Sequence, residues 1–336
     1  MVTIYDIAAA TGFSPATVSK AFNAYPGVSK KTQVKIMDTA KAMGYTPNST
    51  ARTLSTKKSW LVGMLFSEEI ATGIIHPHFS EIVSSAQIEL GKAGYDVVFI
   101  NNFFGGGNVS YIEHCRYRGV DGVIMAASAQ FGQMVRCIVE SDLKVVSVET
   151  TYPGKYSVIS DNYGGGMMAM EHLYALGHRQ IAHIATPLNS LAGRERYQAY
   201  LDFLKEKDIS FDPSLVVETA EYSTAAGYDA IKKLAASANG RFTAVFTAWD
   251  NLALAVMHGL REIGLRVPED VSVIGFDDLA HVETTELTTI RQDRAKIGSL
   301  AAEILIAQMQ DLPIRYTYDT RMPVSLVSRA SCMGIL

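Results

Sequence analysis

Two sets of side chains in this sequence are equipped for chemistry. The first lies at the start, in "VTIYDIAAATGFSPATVSKAFN", where Thr3, Ser14, Thr17 and Ser19 supply hydroxyls and Lys20 a cation. Hydroxyls and free backbone N–H groups at helix starts suit phosphate oxygens, and a lysine suits the edge of a guanine. The second is dispersed. Glu149 and Asp277 each end an apolar run, and Arg196 opens a helical stretch, "RERYQAY". A carboxylate accepts from paired hydroxyls, and a guanidinium presents a planar fork of donors. Other groupings are weaker. "FFGGGN" lacks GxGxxG spacing and a P-loop lysine, so it reads as a flexible surface loop. His114 and Cys115 in "EHCR" have no companions at ligand spacing and read as a helix surface. There is no GxSxG, HExxH or paired acid–base arrangement, so the sequence gives no reason to expect an enzyme, a metal site or a cofactor.

The first set needs short helices to present it. Thr3 precedes Asp6 by three residues, a capping-box start for a helix over 4–10 that Gly12 ends. Ser14 then caps a second helix with Pro15 at its first position, where a missing N–H costs nothing. Val18 and Phe22 face inward, leaving Pro15, Ala16, Thr17, Ser19 and Lys20 outward. Ser29 opens a third helix with Val34, Ile36, Met37, Ala40 and Met43 as its apolar stripe and Gly44 as its stop. Helix, tight turn and helix make a helix-turn-helix, whose second helix enters the major groove by its N-terminal end.

Charge supports a polyanionic partner for this segment. The whole chain of 336 residues carries −4. Residues 1–58 hold seven lysines and one arginine against two aspartates, a net of +6, and the remainder holds 22 basic and 32 acidic residues, a net of −10. With 48% hydrophobic and 19% charged residues the composition is that of a globular protein of two or three domains. No apolar run is long enough to span a bilayer, and no basic-then-apolar segment opens the chain. Three cysteines, Cys115, Cys137 and Cys332, form no CxxC pair and read as reduced thiols, which with the missing export segment points to the cytosol.

The second set needs a different scaffold. From Trp60 onward "WLVGMLF", "YDVVFIN", "VDGVIMAA" and "LKVVSVE" alternate with helical stretches, and "RQIAHIAT", "TAVFTAW" and "DVSVIGFDD" form a second series. That alternation predicts two doubly wound parallel α/β lobes, with ligands at the carboxyl ends of the strands and a cleft between. The fold expected is therefore an all-α helix-turn-helix headpiece on an α/β body of two doubly wound lobes.

"TIYDIAAATGFSPATVSKAFN", followed by "VSKKTQVKIMDTAKAMGYTPNSTARTLSTKKS", closely resembles the headpiece and hinge of the lac-repressor (LacI/GalR) family of bacterial transcription regulators. The resemblance runs along the whole chain. "VISDNYGGGMMAMEHLYALGHRQIAHI" and "AWDNLALAVMHGLREIGLRVPEDVSVIGFDDL" are similar to its later segments, and through them to the type I periplasmic sugar-binding fold. It implies a headpiece at 1–46, a hinge helix at 47–59, an N-terminal lobe at 60–160 plus about 291–320, and a C-terminal lobe at 161–290 plus about 321–336. By position, Pro15, Ala16 and Lys20 are base-reading residues. Pro15 and Ala16 offer only apolar contact, leaving hydrogen bonding to Lys20. Thr3, Tyr5, Ser14, Thr17, Ser19, Asn23 and Tyr45 orient the headpiece on the DNA backbone. In the hinge, where Asn48 or Ser49 suits the cap of a new helix, Leu54 matches the leucine wedged between base steps and Ala51 faces the minor groove. In the body Glu149, Arg196 and Asp277 match effector contacts. Trp249 stands where several relatives carry a polar residue, and its ring suits stacking on a sugar or base, with Phe79 as an opposite wall. Asp161 and Asp250 read as structural.

The resemblance thus implies a cytosolic homodimer that binds a near-palindromic double-stranded DNA operator and represses carbohydrate-utilisation genes in answer to a small neutral sugar. The rival within the family is a catabolite-type global regulator whose co-effector is a phosphorylated carrier protein. No C-terminal leucine heptad follows, so nothing points to a tetramer-forming tail.

Overall fold

The computed structural model describes residues 2–22, 27–46, 53, 58–66, 77–126, 132–220, 223–237, 241–279 and 285–335. Asn23, Asn48, Ala51 and Leu54, and with them nearly all of the expected hinge helix, lie outside the described residues. The chain divides into two compact units, Met1–Trp60 and Leu61–Leu336.

In the first unit α1 (Ile4–Thr11), α2 (Pro15–Phe22) and α3 (Lys30–Ala42) close around Ile7, Ala8, Val18, Ala21, Ile36 and Ala40. The capping box forms reciprocally: the Asp6 N–H donates to Thr3 Oγ1 at 3.4 Å and the Thr3 N–H to Asp6 Oδ2 at 2.8 Å. Gly12 takes the left-handed conformation, φ 77°, that lets α1 stop and the chain turn sharply into α2. Ser29 caps α3 through the Thr32 N–H at 3.2 Å. The stripe of α3 differs from expectation. Ile36 and Ala40 are buried and Met43 half-buried, but Val34 and Met37 are exposed. At about 100° per residue Val34 lies roughly 200° round the helix from Ile36, so one face cannot hold both.

The second unit contains two six-stranded sheets. The first runs β13 (Asp319–Met322), β7 (Tyr156–Ser160), β6 (Lys144–Val148), β5 (Gly122–Ala126), β1 (Leu61–Phe66), β2 (Asp96–Ile100), parallel throughout. The second runs β14 (Val324–Val327), β12 (Thr288–Gln292), β11 (Ser272–Asp277), β10 (Ala244–Thr247), β8 (Ile181–Ala185), β9 (Val216–Glu218), with β14 antiparallel at one edge. The connecting helices are α4 (Pro77–Lys92), α5 (Tyr111–Arg118), α6 (Gly132–Val139), α7 (Asn162–Ala175), α8 (Leu191–Glu206), α9 (Thr224–Ser237), α10 (Asp250–Glu262) and α11 (Arg294–Met309). The chain passes between the sheets three times: after β7, between β12 and α11, and between β13 and β14. Strands such as β5, β8 and β11 are buried along their whole length, as helices on both faces of a parallel sheet require.

"FFGGGN" is a two-stranded hairpin, β3 (Phe103–Phe104) with β4 (Gly107–Asn108), rather than a flexible loop. Gly105 and Gly106 both have positive φ, which a two-residue hairpin turn demands. His114 and Cys115 are buried under α5 rather than on its surface. His114 Nδ1 bonds the Asn101 backbone, and burial pushes the Cys115 thiol up to about 11, which disfavours the thiolate.

Candidate DNA-binding face and ligand cleft

On the headpiece, Thr3, Tyr5, Ser14, Pro15, Ala16 and Lys20 are exposed, while Thr17 and Ser19 are half-buried. Ser14 sits just before α2, and its Oγ accepts from the Thr17 N–H at 3.1 Å and pairs with Thr17 Oγ1 at 2.9 Å. The hydroxyls at the tip of α2 are therefore held by the helix start itself, beside exposed Pro15 and Ala16, with Lys20 exposed in the last turn. Tyr45 is half-buried with its ring 5.2 Å from that of Phe22. Lys35 donates to the Thr11 carbonyl at 3.3 Å, tying α3 to the end of α1.

In the body the ends of several strands converge. Glu149 follows β6 at φ 57°, and Asp277 ends β11 at φ 124°, backbone states uncommon outside glycine, asparagine and aspartate. Glu149 Oε1 accepts from Ser160 Oγ at 2.8 Å and from the Ser160 N–H at 3.3 Å, at the end of β7. His78 Nε2 of α4 lies 3.8 Å from the same oxygen. Arg196 projects from α8 and is 5% exposed. Its Nε and Nη2 donate to Asn162 Oδ1 at 3.0 and 2.7 Å, its Nη1 donates to the Ala248 carbonyl, and its Cζ lies 3.5 Å from the centre of the Phe276 ring. Nη1 is also 3.7 Å from Asp277 Oδ1. Asp277 Oδ1 accepts from Gln292 Nε2, at the end of β12.

Burial dominates the electrostatics here. It raises Glu149, against the hydrogen bonds of Ser160 and the charge of Arg196. It pushes Asp277 up to about 7, against Arg196 and Arg294 and with repulsion from Glu149. Asp250 is raised by burial and by Asp277, and its structural role is visible: it accepts from Thr289 Oγ1 at 2.6 Å and from the Leu279 N–H at 3.0 Å, fixing β12 and the chain after β11. Asp278, next to Asp277, is held by Arg291 at 2.6 Å and Arg329 at 2.7 Å. Burial holds His183, under Arg196, down to about 3, so this ring is neutral.

Arg196 and Asp277, far apart in sequence, thus meet, and Glu149 lies near enough for its charge to act with theirs. Phe79 packs against Phe66 and His78, so it approaches Glu149 through His78. Trp249, 6% exposed, packs in the apolar cluster of the second sheet with Leu252 and Leu279 and adjoins the carbonyl that Arg196 holds. Sequence reading missed Ser160, Asn162, Gln292, Arg294 and His78. Gln292 carried a usable signal, a polar residue closing the β-branched run "LTTI", but that run was not read as a strand. Asp161 caps α7 by accepting from the Gly164 N–H at 2.9 Å. Among the described residues no group of three or more His, Cys, Asp or Glu is placed to hold a metal ion, and no helix is long and apolar enough to cross a membrane.

A helix-turn-helix unit joined to a two-sheet body with a buried, hydrogen-bonding cluster at its strand ends defines a DNA-binding regulator that answers to a ligand. Comparison with known proteins is specific. Residues 3–48 match the model for bacterial regulatory proteins of the lacI family, and residues 170–332 match a periplasmic binding protein-like domain. The chain is 30% identical to the transcriptional repressor PurR of Haemophilus influenzae over the full length of both, and 31% identical to the transcriptional regulator CelR of Thermobifida fusca over 98% of this chain and 96% of that one. Its fold matches the lac repressor dimer bound to operator and the anti-inducer ONPF, with a TM-score of 0.80 at 28% identity over 99% of each chain. It also matches a CelR–cellobiose complex, with a TM-score of 0.71 at 28% identity over 98% of this chain and 100% of that one. The chain belongs to the lacI family of bacterial regulatory proteins.

Proposed function

We propose that this protein is a homodimeric, cytosolic repressor of carbohydrate-utilisation genes whose effector is a small neutral sugar bound among Glu149, Arg196 and Asp277. The observation that carries the reading is the juxtaposition of two buried carboxylates with a clamped guanidinium. Acceptors and donors at that spacing suit the paired hydroxyls of a polyol. With Glu149 and Asp277 ionised, as hydroxyls donating to them favour, these two and Glu81 against Arg196 and Arg294 leave a net −1, so a phosphorylated ligand would bring further negative charge into a poorly solvated site. Phe79 and Trp249, both buried, back this cluster through His78 and through the Ala248 carbonyl. The lac repressor and CelR complexes support a paired regulator and a saccharide ligand for relatives of this fold.

Two heads then bind the half-sites of a near-palindrome, with Lys20 reading a base, Asn23 and the hydroxyls on phosphates, and the segment containing Asn48, Ala51 and Leu54 in the minor groove. Effector binding favours one of two lobe arrangements, and DNA affinity follows. Tryptophan fluorescence titrated with neutral sugars, sugar phosphates and nucleobases tests the reading. A saturable change with a neutral sugar supports it. Binding of sugar phosphates alone sinks it, and silence across the panel favours a protein co-effector.

A further inference from the structure

Arg294 opens α11 just after the chain leaves the second sheet, and its side chain turns back, 8% exposed. Nη1 donates to the Asp277 carbonyl and Nη2 to the Asp278 carbonyl at 3.0 Å, both at the end of β11. Nε donates to Glu81 Oε2 of α4 at 2.6 Å. One guanidinium therefore holds the strand end that carries Asp277 and a helix packed on the other sheet. We propose that Arg294, anchored by Glu81, is a positioning residue that couples the Asp277 strand end to helix α4 and so fixes how the two sheets are set against each other.

A buried guanidinium needs an anionic partner, and two compete for this one. Glu81 bonds it directly, and Asp277 senses its charge. Hydroxyls donating to Asp277 would alter what Arg294 faces on one side while Glu81 holds it on the other; this consequence rests on the cleft reading given above. The planar fork fixes direction as well as distance, which a lysine would not do. The far end of the lever is stiff. A Cβ on Gly298 would lie 2.0 Å from the Ile82 carbonyl oxygen and 2.1 Å from Ser85 Oγ, so the backbone of α11 packs directly on the backbone of α4, leaving no room for one to shift into the other. Glu81 itself is half-exposed, so its ion pair adds little to stability, and its role is geometric.

The test uses spin labels at Lys144→Cys, on the first sheet, and Lys233→Cys, on α9 against the second, in a Cys137→Ser, Cys332→Ser background of the full chain. Labelled chains are diluted into unlabelled ones so that only distances within one chain are read. The parent gives one distance population. Glu81→Gln adds a second population or displaces the first, and Glu81→Asp restores it in part. Glu89→Gln, which breaks the exposed pair with Lys92 inside α4, leaves the distance unchanged. A Glu81→Gln distribution that superimposes on the parent's, with circular dichroism unaltered, overturns the proposal. Repeating the measurement with cellobiose and with ribose separates the two readings. If neither binds the parent, the sugar reading loses support while the ligand-free distances still decide the role of Arg294.

Discussion

Asp277→Asn removes one buried charge and leaves its shape. Asparagine tolerates the positive φ of this position, and its Oδ1 still accepts from Gln292. The native carboxyl is pushed up to about 7 by burial, whereas an unfolded aspartate titrates near 3.9. Between those values the folded chain binds more protons than the unfolded one. The parent therefore loses stability as pH rises from about 4 to about 7, and the loss is constant above that window. Three units at 1.36 kcal/mol each give a total of up to about 4 kcal/mol, of which roughly 2–3 kcal/mol falls between pH 5 and pH 8. Guanidinium unfolding of parent and variant at both pH values reads the difference. The Asp277→Asn chain should gain on the parent by about 2–3 kcal/mol from pH 5 to pH 8. Its gain in stability should come with a loss of function, since a charged acceptor for ligand hydroxyls contributes about 1.5–3 kcal/mol, or roughly ten- to a hundredfold in affinity. Unfolding curves that stay parallel at the two pH values would refute the argument that this carboxyl carries the cost of burial.

His183 gives the opposite pH signature. Held neutral with a pKa of about 3, it costs stability as pH falls below 6.5, by roughly 2 kcal/mol between pH 7.5 and pH 5, and His183→Gln should remove that share in the same unfolding assay. Gly298→Ala should lower stability by about 3 kcal/mol through overpacking against Ile82 and Ser85, visible as a fall in Tm, whereas Gly44→Ala would act only through strain at its positive φ. Lys20→Ala should weaken specific DNA binding by about 1–3 kcal/mol and relax preference at one base position. The slope of log affinity against log salt should stay that of about 6–10 phosphate contacts, changing by less than one unit.

The headpiece was the most legible part of the sequence because its signals are local. Thr3 with Asp6, Ser14 with Pro15, and Ser29 are caps, and each acts within one turn of chain. The error there, in the stripe of α3, came from gathering Val34 and Met37 with Ile36 when helical spacing separates them. In the body, apolar runs such as those of β1, β5, β8 and β11 declared themselves because both faces are buried. The edge strands β9, β13 and β14 and the strands β7 and β12 were not read as strands. They are short, or they mix polar residues with apolar ones, and their place depends on a neighbour distant in sequence: Asp319 of β13 pairs with Ser157 of β7. Family resemblance pointed to Glu149, Arg196 and Asp277, and the last two are in contact. Its supporting groups were hidden for the same reason as the edge strands. Asn162, Gln292 and Arg294 acquire their roles only when the chain crosses between sheets, and no local pattern marks that crossing.

The most direct test of ligand-controlled DNA recognition is selection of duplexes from a random pool by the full-length protein, followed by anisotropy titration of the enriched duplex with and without the sugar that binds. The account predicts a two-fold-symmetric motif whose affinity falls steeply with salt and changes at least several-fold with the sugar, and a chain with Asp277→Asn that binds the motif but no longer answers to the sugar. Enrichment of no symmetric motif, or a motif whose affinity is the same with the cleft occupied and empty, would contradict it.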